Sequence, residues 1–435
     1  MKTIIIGAGI SGLALAYFLE KLKKPYVLLE STAYAGGVIK TLQKGDYQIE
    51  LGPNSLLVDA AMEAFLDEIG IAPAEILPAA AVSNHRYIFK NQKYKTLPTN
   101  PLKLFLGNYF SWAAKKAILR EWYVPAGTKP NETLSEFFTR RFHKEIVDYA
   151  LAPFVSGVYA GNPDTLLIKK TFPMIYDLEQ NYGSIIKGMS KQKKGAGRRK
   201  TISFMKGMQT LPQTLAQHLH HIMYEATVDK ITKTANNNYL VSTSKGDFEA
   251  SNIVLTAPAH QCQFLEEIGT PSLMGLLDGL HYPPMVVVYT AYKRQEVAHA
   301  LNGFGGLNPH KEHLFTLGSI WTSSVFPNRC PKDEVLLTTF IGGSLHAAKT
   351  QLSNAEILEN VQKEHAQCFR IKGLPTFQHL YRWQKAIPQY EAQSIPLHEA
   401  FEEWEKENIY VCANWKDGVS IPDCIQKARK LADRL

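Results

Sequence analysis

Cysteine is scarce in this chain: five residues, at 262, 330, 368, 412 and 424, among 435. None forms a C-x-x-C pair and the number is odd. That argues against a disulfide framework or a thiolate metal cluster and fits a reducing cytosol. Long apolar runs are scarce too. One extends from Thr3 to Leu19 behind Lys2, and no other window reaches the roughly 20 uncharged residues of a membrane span. That run has the outline of a signal peptide, but Gly7, Gly9 and Gly12 interrupt it in a spacing with another use. Acid is in deficit: 48 Lys and Arg stand against 40 Asp and Glu, for a net charge of +8. The surplus favours carboxylate, phosphate or acidic lipid partners. With 45% hydrophobic and 20% charged residues the chain is neither disordered nor fibrous. Its length predicts two to four compact units at roughly 150 residues each, with a core large enough to need no staples.

The N-terminal run has a specific organisation. Ile4-Ile5-Ile6 is a β-branched stretch suited to a strand buried on both faces of a parallel sheet. Gly7-Ala8-Gly9-Ile10-Ser11-Gly12 follows, then Leu13, Leu15, Ala16, Phe18 and Leu19 give a helical apolar face. Tyr26 to Leu29 reads as a second strand that ends on Glu30. The first glycine permits the turn, the second lets backbone approach a pyrophosphate, and the third allows helix to pack closely on strand. The helix N-terminus offers free N–H groups to the phosphates, and Glu30 is placed to accept from ribose hydroxyls. A GxGxxG string alone is weak. The strand, helix, second strand and terminal acid together point to dinucleotide binding.

FAD rather than NAD is indicated by what comes next. Ser31, then Gly36-Gly37-Val38, provide a second close backbone approach, and Tyr47 to Leu51 reads as a strand leading into Gly52-Pro53-Asn54-Ser55. Near the other end Asn408 to Ala413 reads as a buried strand, and Gly418-Val419-Ser420-Ile421 opens a last helix. Together these segments resemble the FAD-binding half of the amine oxidase superfamily. Three further strings resemble the protoporphyrinogen and coproporphyrinogen oxidase family in particular: Ala152 to Pro163 with Leu178 to Ile186, Trp383 to Tyr390, and Gly418 to Ile425. The resemblance runs from Ile4 to Leu431.

The resemblance implies an α/β fold: a discontinuous Rossmann-like FAD-binding domain (1–78, 201–260 and 381–435), a mixed-sheet substrate domain (79–89 and 261–380), and a mostly helical, membrane-associating insertion (90–200). It implies that Gly7, Ala8, Gly9, Ile10, Ser11, Gly12, Glu30, Ser31, Gly36, Gly37, Val38, Gly52, Pro53, Asn54 and Ser55 line the FAD. Val228 would lie by the adenine, Trp383 near the flavin, and Gly418, Val419, Ser420 and Ile421 against the ring system. Arg86 would meet a substrate propionate, and Gly157 would keep the cavity beside the flavin open. The stretch before Arg86 is short, and Lys90, Lys93 and Lys95 are alternative propionate partners. No catalytic side chain is implied, since the flavin carries the chemistry, and no metal site is assigned. His220 and His221 are adjacent and would not share a helix face.

The implied activity is the oxidation of protoporphyrinogen IX to protoporphyrin IX, with O2 or a quinone as acceptor. Coproporphyrinogen III is the alternative substrate, and a non-catalytic flavin-binding assembly protein is the alternative of another class. In Pro101 to Val124, aromatic residues alternate with Lys103, Lys115, Lys116 and Arg120, a composition suited to an amphipathic surface lying on acidic lipid or to a packed helix pair. Lys187 to Lys200 carries seven cations and no acid, and reads as a solvated loop or a second anion-attracting segment. The expected partners are therefore a porphyrinogen, an electron acceptor, an acidic membrane met peripherally from the cytoplasm, and a second copy of the chain. No nucleic-acid module accompanies the charge.

Overall fold

The β-branched run Thr3–Ile6 is buried along its whole length because it forms the centre of a parallel sheet. Its neighbours are Tyr26–Leu29 on one side and Asn252–Leu255 on the other. The computed structural model describes residues 2–98, 101–192 and 199–435. Ile222–Met223 and Ile409–Val411 complete the sheet at its two edges, so its five strands come from well-separated parts of the chain.

Strand alternation sends Ile5, Leu28 and Val254 to one face, and Ile4, Ile6, Val27, Leu29, Ile253 and Leu255 to the other. On the first face lie the helices Ile10–Lys21, Thr210–Gln217 and Ile421–Arg434, through Leu13, Leu211 and Ile425. On the second lie a three-stranded antiparallel meander, Val228–Lys233, Tyr239–Thr243 and Gly246–Ala250, and the helices Pro271–Gly279 and Ser394–Trp404. Phe264, Leu265, Leu273 and Leu277 are thus in the core of the dinucleotide unit. The boundary expected at 260 is too early, because the apolar stripe that follows it is needed to cover this face.

A second, seven-stranded sheet runs in the order Phe377–Trp383, Met285–Lys293, Glu334–Gly342, Gly318–Ile320, Gly305–Leu307, Arg86–Phe89, Tyr94–Thr96. All pairs are antiparallel except Gly305–Leu307 with Arg86–Phe89. One face is covered by the helix Asn354–Phe369, whose Ile357 and Val361 meet Val286, Val288 and Ile341. On the other, Val287, Tyr289 and Leu336 pack on Ile49 and Leu51, which belong to the hairpin Thr41–Lys44 and Tyr47–Glu50 of the dinucleotide half. Two expected boundaries need correction. Position 90 falls inside the hairpin formed by Arg86–Phe89 and Tyr94–Thr96, and position 381 falls inside the strand Phe377–Trp383. In both places main-chain pairing continues past the change in composition.

Between 101 and 192 the chain is helical. Tyr109, Phe110 and Ala114 pack on Ile88 and Leu307 of the seven-stranded sheet. Deeper in this region Arg141 is fully buried, donating to Glu121 at 2.7 Å, to Glu179 at 2.5 Å and to the Gly183 carbonyl at 2.9 Å. Glu121 in turn accepts from Ser184 Oγ at 2.5 Å and the Ile185 N–H at 2.9 Å. Every charge in this cluster has partners. A buried charge left without them would cost several kcal/mol, on the order of 3–5. Lys193, Lys194 and Arg198 of the basic run lie outside the described residues, as do the side chains of Leu102 and Lys103.

A glycine-lined cradle facing an apolar sheet

The three motif glycines have three different surroundings. Gly7 adopts φ +108°, a conformation that disfavours side chains, and its N–H donates to the Leu29 carbonyl at 2.8 Å. Thr256, unremarkable in the sequence, braces this turn: its hydroxyl reaches the carbonyls of Ile6 and Gly7, each at 2.7 Å. A Cβ on Gly12 would stand 2.0 Å from the Gly7 carbonyl oxygen, so helix and strand touch there backbone to backbone. A Cβ on Gly9 would meet nothing within 4 Å. Gly9 is also the N-cap of the helix Ile10–Lys21, and no side chain caps that end. Open space in front of free N–H groups is what a pyrophosphate requires.

The second glycine pair closes on this opening. Gly37 (φ +58°) lies so that a Cβ would be 3.2 Å from Gly9 Cα, and the Gly36 N–H donates to the Ala8 carbonyl at 2.8 Å. Gly36 itself faces Pro212 rather than the opening. Glu30 is buried at the end of its strand and accepts from the Ala8 N–H at 2.7 Å, the Thr32 N–H at 2.9 Å and the Thr32 hydroxyl at 2.8 Å, with Ser31 Oγ at 3.5 Å. Its carboxylate therefore fixes the geometry of the loop that borders the glycine turn. Val38 is 48% exposed beside the cradle, and its carbonyl would be 2.0 Å from a Cβ on Gly52. That contact makes Gly52 a crossing point of two backbones. Asn54 donates to the Gly52 carbonyl at 3.3 Å, but its buried Oδ1 has no protein partner. Pro53 and Ser55 lie beside it, partly exposed. The open space at Gly9, the uncapped helix and the orphaned Asn54 oxygen all fit a bound dinucleotide.

The remaining expected contacts are distributed as follows. Val228 begins the first strand of the meander, at a bulge, packed against the core of the dinucleotide unit. Gly418 has φ +114°, and its N–H donates to Tyr390 Oη at 2.7 Å. Val419 packs towards the helical region, and Ser420 caps the helix Ile421–Arg434 through Asp423. Trp383 ends the edge strand of the seven-stranded sheet, where Nε1 donates to the Leu51 carbonyl at 2.9 Å and ties the two halves together.

Register places the substrate residues relative to this tie. Arg86 pairs with Gly305, Gly305 with Ile320, Gly318 with Phe340, and Trp383 with Met285, itself opposite Gly342. Alternation therefore puts Arg86, Leu307, Ile320, Phe340 and Trp383 on one face, the face that meets the dinucleotide half. Leu307, Ile320, Phe340 and Trp383 are each only partly buried, and together they form an apolar floor. Gly157, in the helix Ala152–Tyr159, presses on that floor: a Cβ would stand 2.4 Å from Leu307 Cδ2.

Arg86 is exposed, its guanidinium lies over the Phe304 ring at 4.6 Å, and burial of part of the group lowers its pKa from the ordinary value. Among the described residues it has no acidic partner within ion-pair distance, so it is open to a carboxylate. Lys90 is not. It is buried, donating to the Tyr109 carbonyl at 2.8 Å and to Glu145 at 2.9 Å, with its ammonium over the Tyr109 and Tyr149 rings at 5.0 and 4.2 Å. The expectation that it could hold a propionate is corrected on that ground. Lys93 and Lys95 do line an open recess of about 680 Å³ with His85, Tyr87 and Asn302. This recess lies at the outer edge of the sheet and not at the glycine cradle.

Comparison with known proteins agrees with this geometry. The family model for flavin containing amine oxidoreductases matches residues 10–435. Protoporphyrinogen oxidase 2 of Arabidopsis thaliana is 30% identical over 99% of this chain and 93% of its own. Coproporphyrinogen III oxidase of Bacillus subtilis (strain 168) is 28% identical over 98% of this chain and 96% of its own. Among solved structures, a protein of Exiguobacterium sp. 255-15 assigned as a protoporphyrinogen oxidase superposes with a TM-score of 0.81 at 22% identity, covering 100% of this chain and 98% of that one.

Proposed function

The chain belongs to the flavin-containing amine oxidoreductases, in the protoporphyrinogen and coproporphyrinogen oxidase family, and uses FAD; from that premise we propose that it oxidises protoporphyrinogen IX to protoporphyrin IX in haem biosynthesis. Six hydrogens leave the macrocycle, and three molecules of O2 become three of H2O2. The observation that carries the reading is the unpaired Arg86 on the same sheet face as Trp383, Phe340, Ile320 and Leu307. A flat, apolar ring with carboxylates at one edge suits a floor of that kind with a cation at its far end.

Bound FAD supplies hydride acceptance, so six electrons require three cycles. The protein orients the ring. Leu307, Ile320 and Phe340 exclude water beneath the macrocycle, and the missing side chain at Gly157 lets the helix Ala152–Tyr159 seat directly on Leu307 at the margin of that floor. Arg86 fixes a propionate, converting each cycle into a reaction within one complex. No side-chain base is invoked, since aromatisation favours proton loss and pyrrole nitrogens exchange protons.

The dinucleotide-binding unit, drawn from three stretches of the chain, holds FAD, and the seven-stranded sheet forms the substrate floor. The helical region is the membrane-facing part. Leu106, Trp112, Leu119, Trp122 and Tyr123 are exposed, Tyr123 at 84%, beside exposed Lys116 and Arg120. Among the described residues no helix is long and apolar enough to cross a membrane, so the contact would be peripheral, on the cytoplasmic face. Coproporphyrinogen III is the second reading, favoured by Lys93 and Lys95, which line a recess at the sheet edge and have no acidic partner within ion-pair distance among the described residues. Growth of porphyrin fluorescence with each porphyrinogen in air is the test. Preference for coproporphyrinogen III would overturn the substrate assignment. An FAD-loaded protein that turns over neither, even with a quinone, would leave a flavin-binding assembly role.

A further inference from the structure

Residues 413–418 lead from the edge strand Ile409–Val411 to the helix Ile421–Arg434, whose Ile421 and Ile425 pack in the same core as Ala8 and Leu13 of the glycine turn and its helix. This loop is held by side chains from several elements. Tyr390 Oη donates to the Asn414 carbonyl at 2.8 Å while accepting from the Gly418 N–H at 2.7 Å. His398 Nε2 donates to the Trp415 carbonyl at 2.8 Å, and Trp415 Nε1 to the Ala257 carbonyl at 3.0 Å. Lys427 reaches furthest. Its ammonium donates to the carbonyls of Ala413 at 2.6 Å, of Gly418 at 3.1 Å, and of Lys416.

All three protons of Lys427 are thereby committed to carbonyls, and no ion pair among the described residues includes it. Asp423, one turn earlier, is committed to the Ser420 N–H at 3.1 Å and hydroxyl at 2.5 Å. Asp417 is exposed, and Lys416 pairs with Glu405 at 3.4 Å. Helical side chains lean towards the N-terminus, so Lys427, two turns in, places its charge at the positive end of its own helix. A cation there opposes the helix dipole. Helix stability does not account for it. The loop and what faces the loop do.

We propose that Lys427 is a positioning residue for FAD. It locks the loop so that the backbone of Gly418 to Ile421 meets the flavin, and its charge favours the reduced over the oxidised cofactor. The inference rests on the flavin assignment and not on the identity of the substrate. Tyr390 shares the positioning role without the charge.

The test uses the full chain and needs no porphyrinogen. FAD affinity is measured by flavin fluorescence titration, and the midpoint potential by reduction in equilibrium with a redox dye. Lys427→Met is expected to raise the FAD Kd at least tenfold. It is also expected to lower the ratio of reduced to oxidised affinity about tenfold, equivalent to about 30 mV for a two-electron couple. Tyr390→Phe is expected to raise the Kd with the potential unchanged, and Lys427→Arg to retain the potential. If Lys427→Met does not fold, Lys427→Gln takes the same two readouts. A folded variant with wild-type Kd and potential overturns the proposal, whatever its melting temperature. Failure of wild-type protein to oxidise any porphyrinogen would overturn the substrate reading alone, since neither readout involves turnover.

Discussion

Replacing Glu50 by Gln should make the protein more stable at alkaline pH and leave it nearly unchanged at pH 5. Glu50 ends the strand that leads into Gly52-Pro53-Asn54, and its carboxyl is buried. Burial pushes its pKa up to about 7, against the pull of the Thr41 hydroxyl, the Met208 N–H and Arg329. The distances are 2.7 Å to Thr41, 3.0 Å to Met208 and 4.0 Å to Arg329. The folded state thus binds this proton more tightly than the unfolded chain does. The resulting stabilisation is complete below the ordinary carboxyl value of 4.5 and is lost as pH rises through 7. The gap between the two values corresponds to about 3 kcal/mol at full ionisation. Gln mimics the protonated acid: its oxygen can accept from Met208 and its amide can face Thr41. The pull of Arg329 is already contained in that value, so a gain of up to about 3 kcal/mol is expected at pH 8.5. Thermal midpoints of both proteins, at fixed salt and saturating FAD from pH 5 to 9, should converge at the acid end and separate by a few degrees at the alkaline end. Parallel curves, or a wild type more stable at pH 8.5, would refute the reasoning.

Four further outcomes are expected. Gly12→Ala forces a methyl group to within 2.0 Å of the Gly7 carbonyl. It should cost at least about 2 kcal/mol and yield protein with little bound FAD, read from the flavin absorbance of the purified chain. Arg86→Ala should raise KM about tenfold with kcat little changed, because it removes binding shared by ground and transition states. Gly157→Val should abolish turnover while FAD stays bound, since the added side chain forces Leu307 out of its place in the substrate floor. Converting Trp112, Leu119 and Tyr123 to Ser should reduce sedimentation with anionic vesicles without altering solution turnover. Equal sedimentation would remove the membrane-facing role from this surface.

How far the sequence reaches depends on how local the determining interactions are. The strand, glycine turn, helix and second strand from Thr3 to Leu29 were legible because hydrophobic period, turn chemistry and the closing acid all lie within one short segment. Ile222–Met223 was not, since two residues carry no periodicity. Arg86 could be named by resemblance. Its shared face with Phe340 and Trp383 could not, because that follows from pairing of Arg86 with Gly305 across most of the chain. Lys90 and Arg86 look alike in sequence, and only packing separates the buried, paired cation from the free one. Lys427 and Thr256 gave no signal, since their partners are backbone carbonyls, which every residue possesses.

The arrangement of the parallel sheet has a consequence for synthesis. Its central strand is made first, yet its partner Asn252–Leu255, and Ile409–Val411 that pairs with that partner, are made far later, and the helix Ile10–Lys21 packs against Ile421–Arg434. At translation rates of about 5–20 residues per second, the first helix would wait on the order of 20–80 s for its counterpart. During that interval Ile4 to Leu19 is a nascent apolar segment with no native cover, the kind of surface that trigger-type chaperones shield. Flavin insertion is thereby deferred to the end of chain elongation, and a ribosome stalled before residue 409 would carry a polypeptide unable to retain its cofactor.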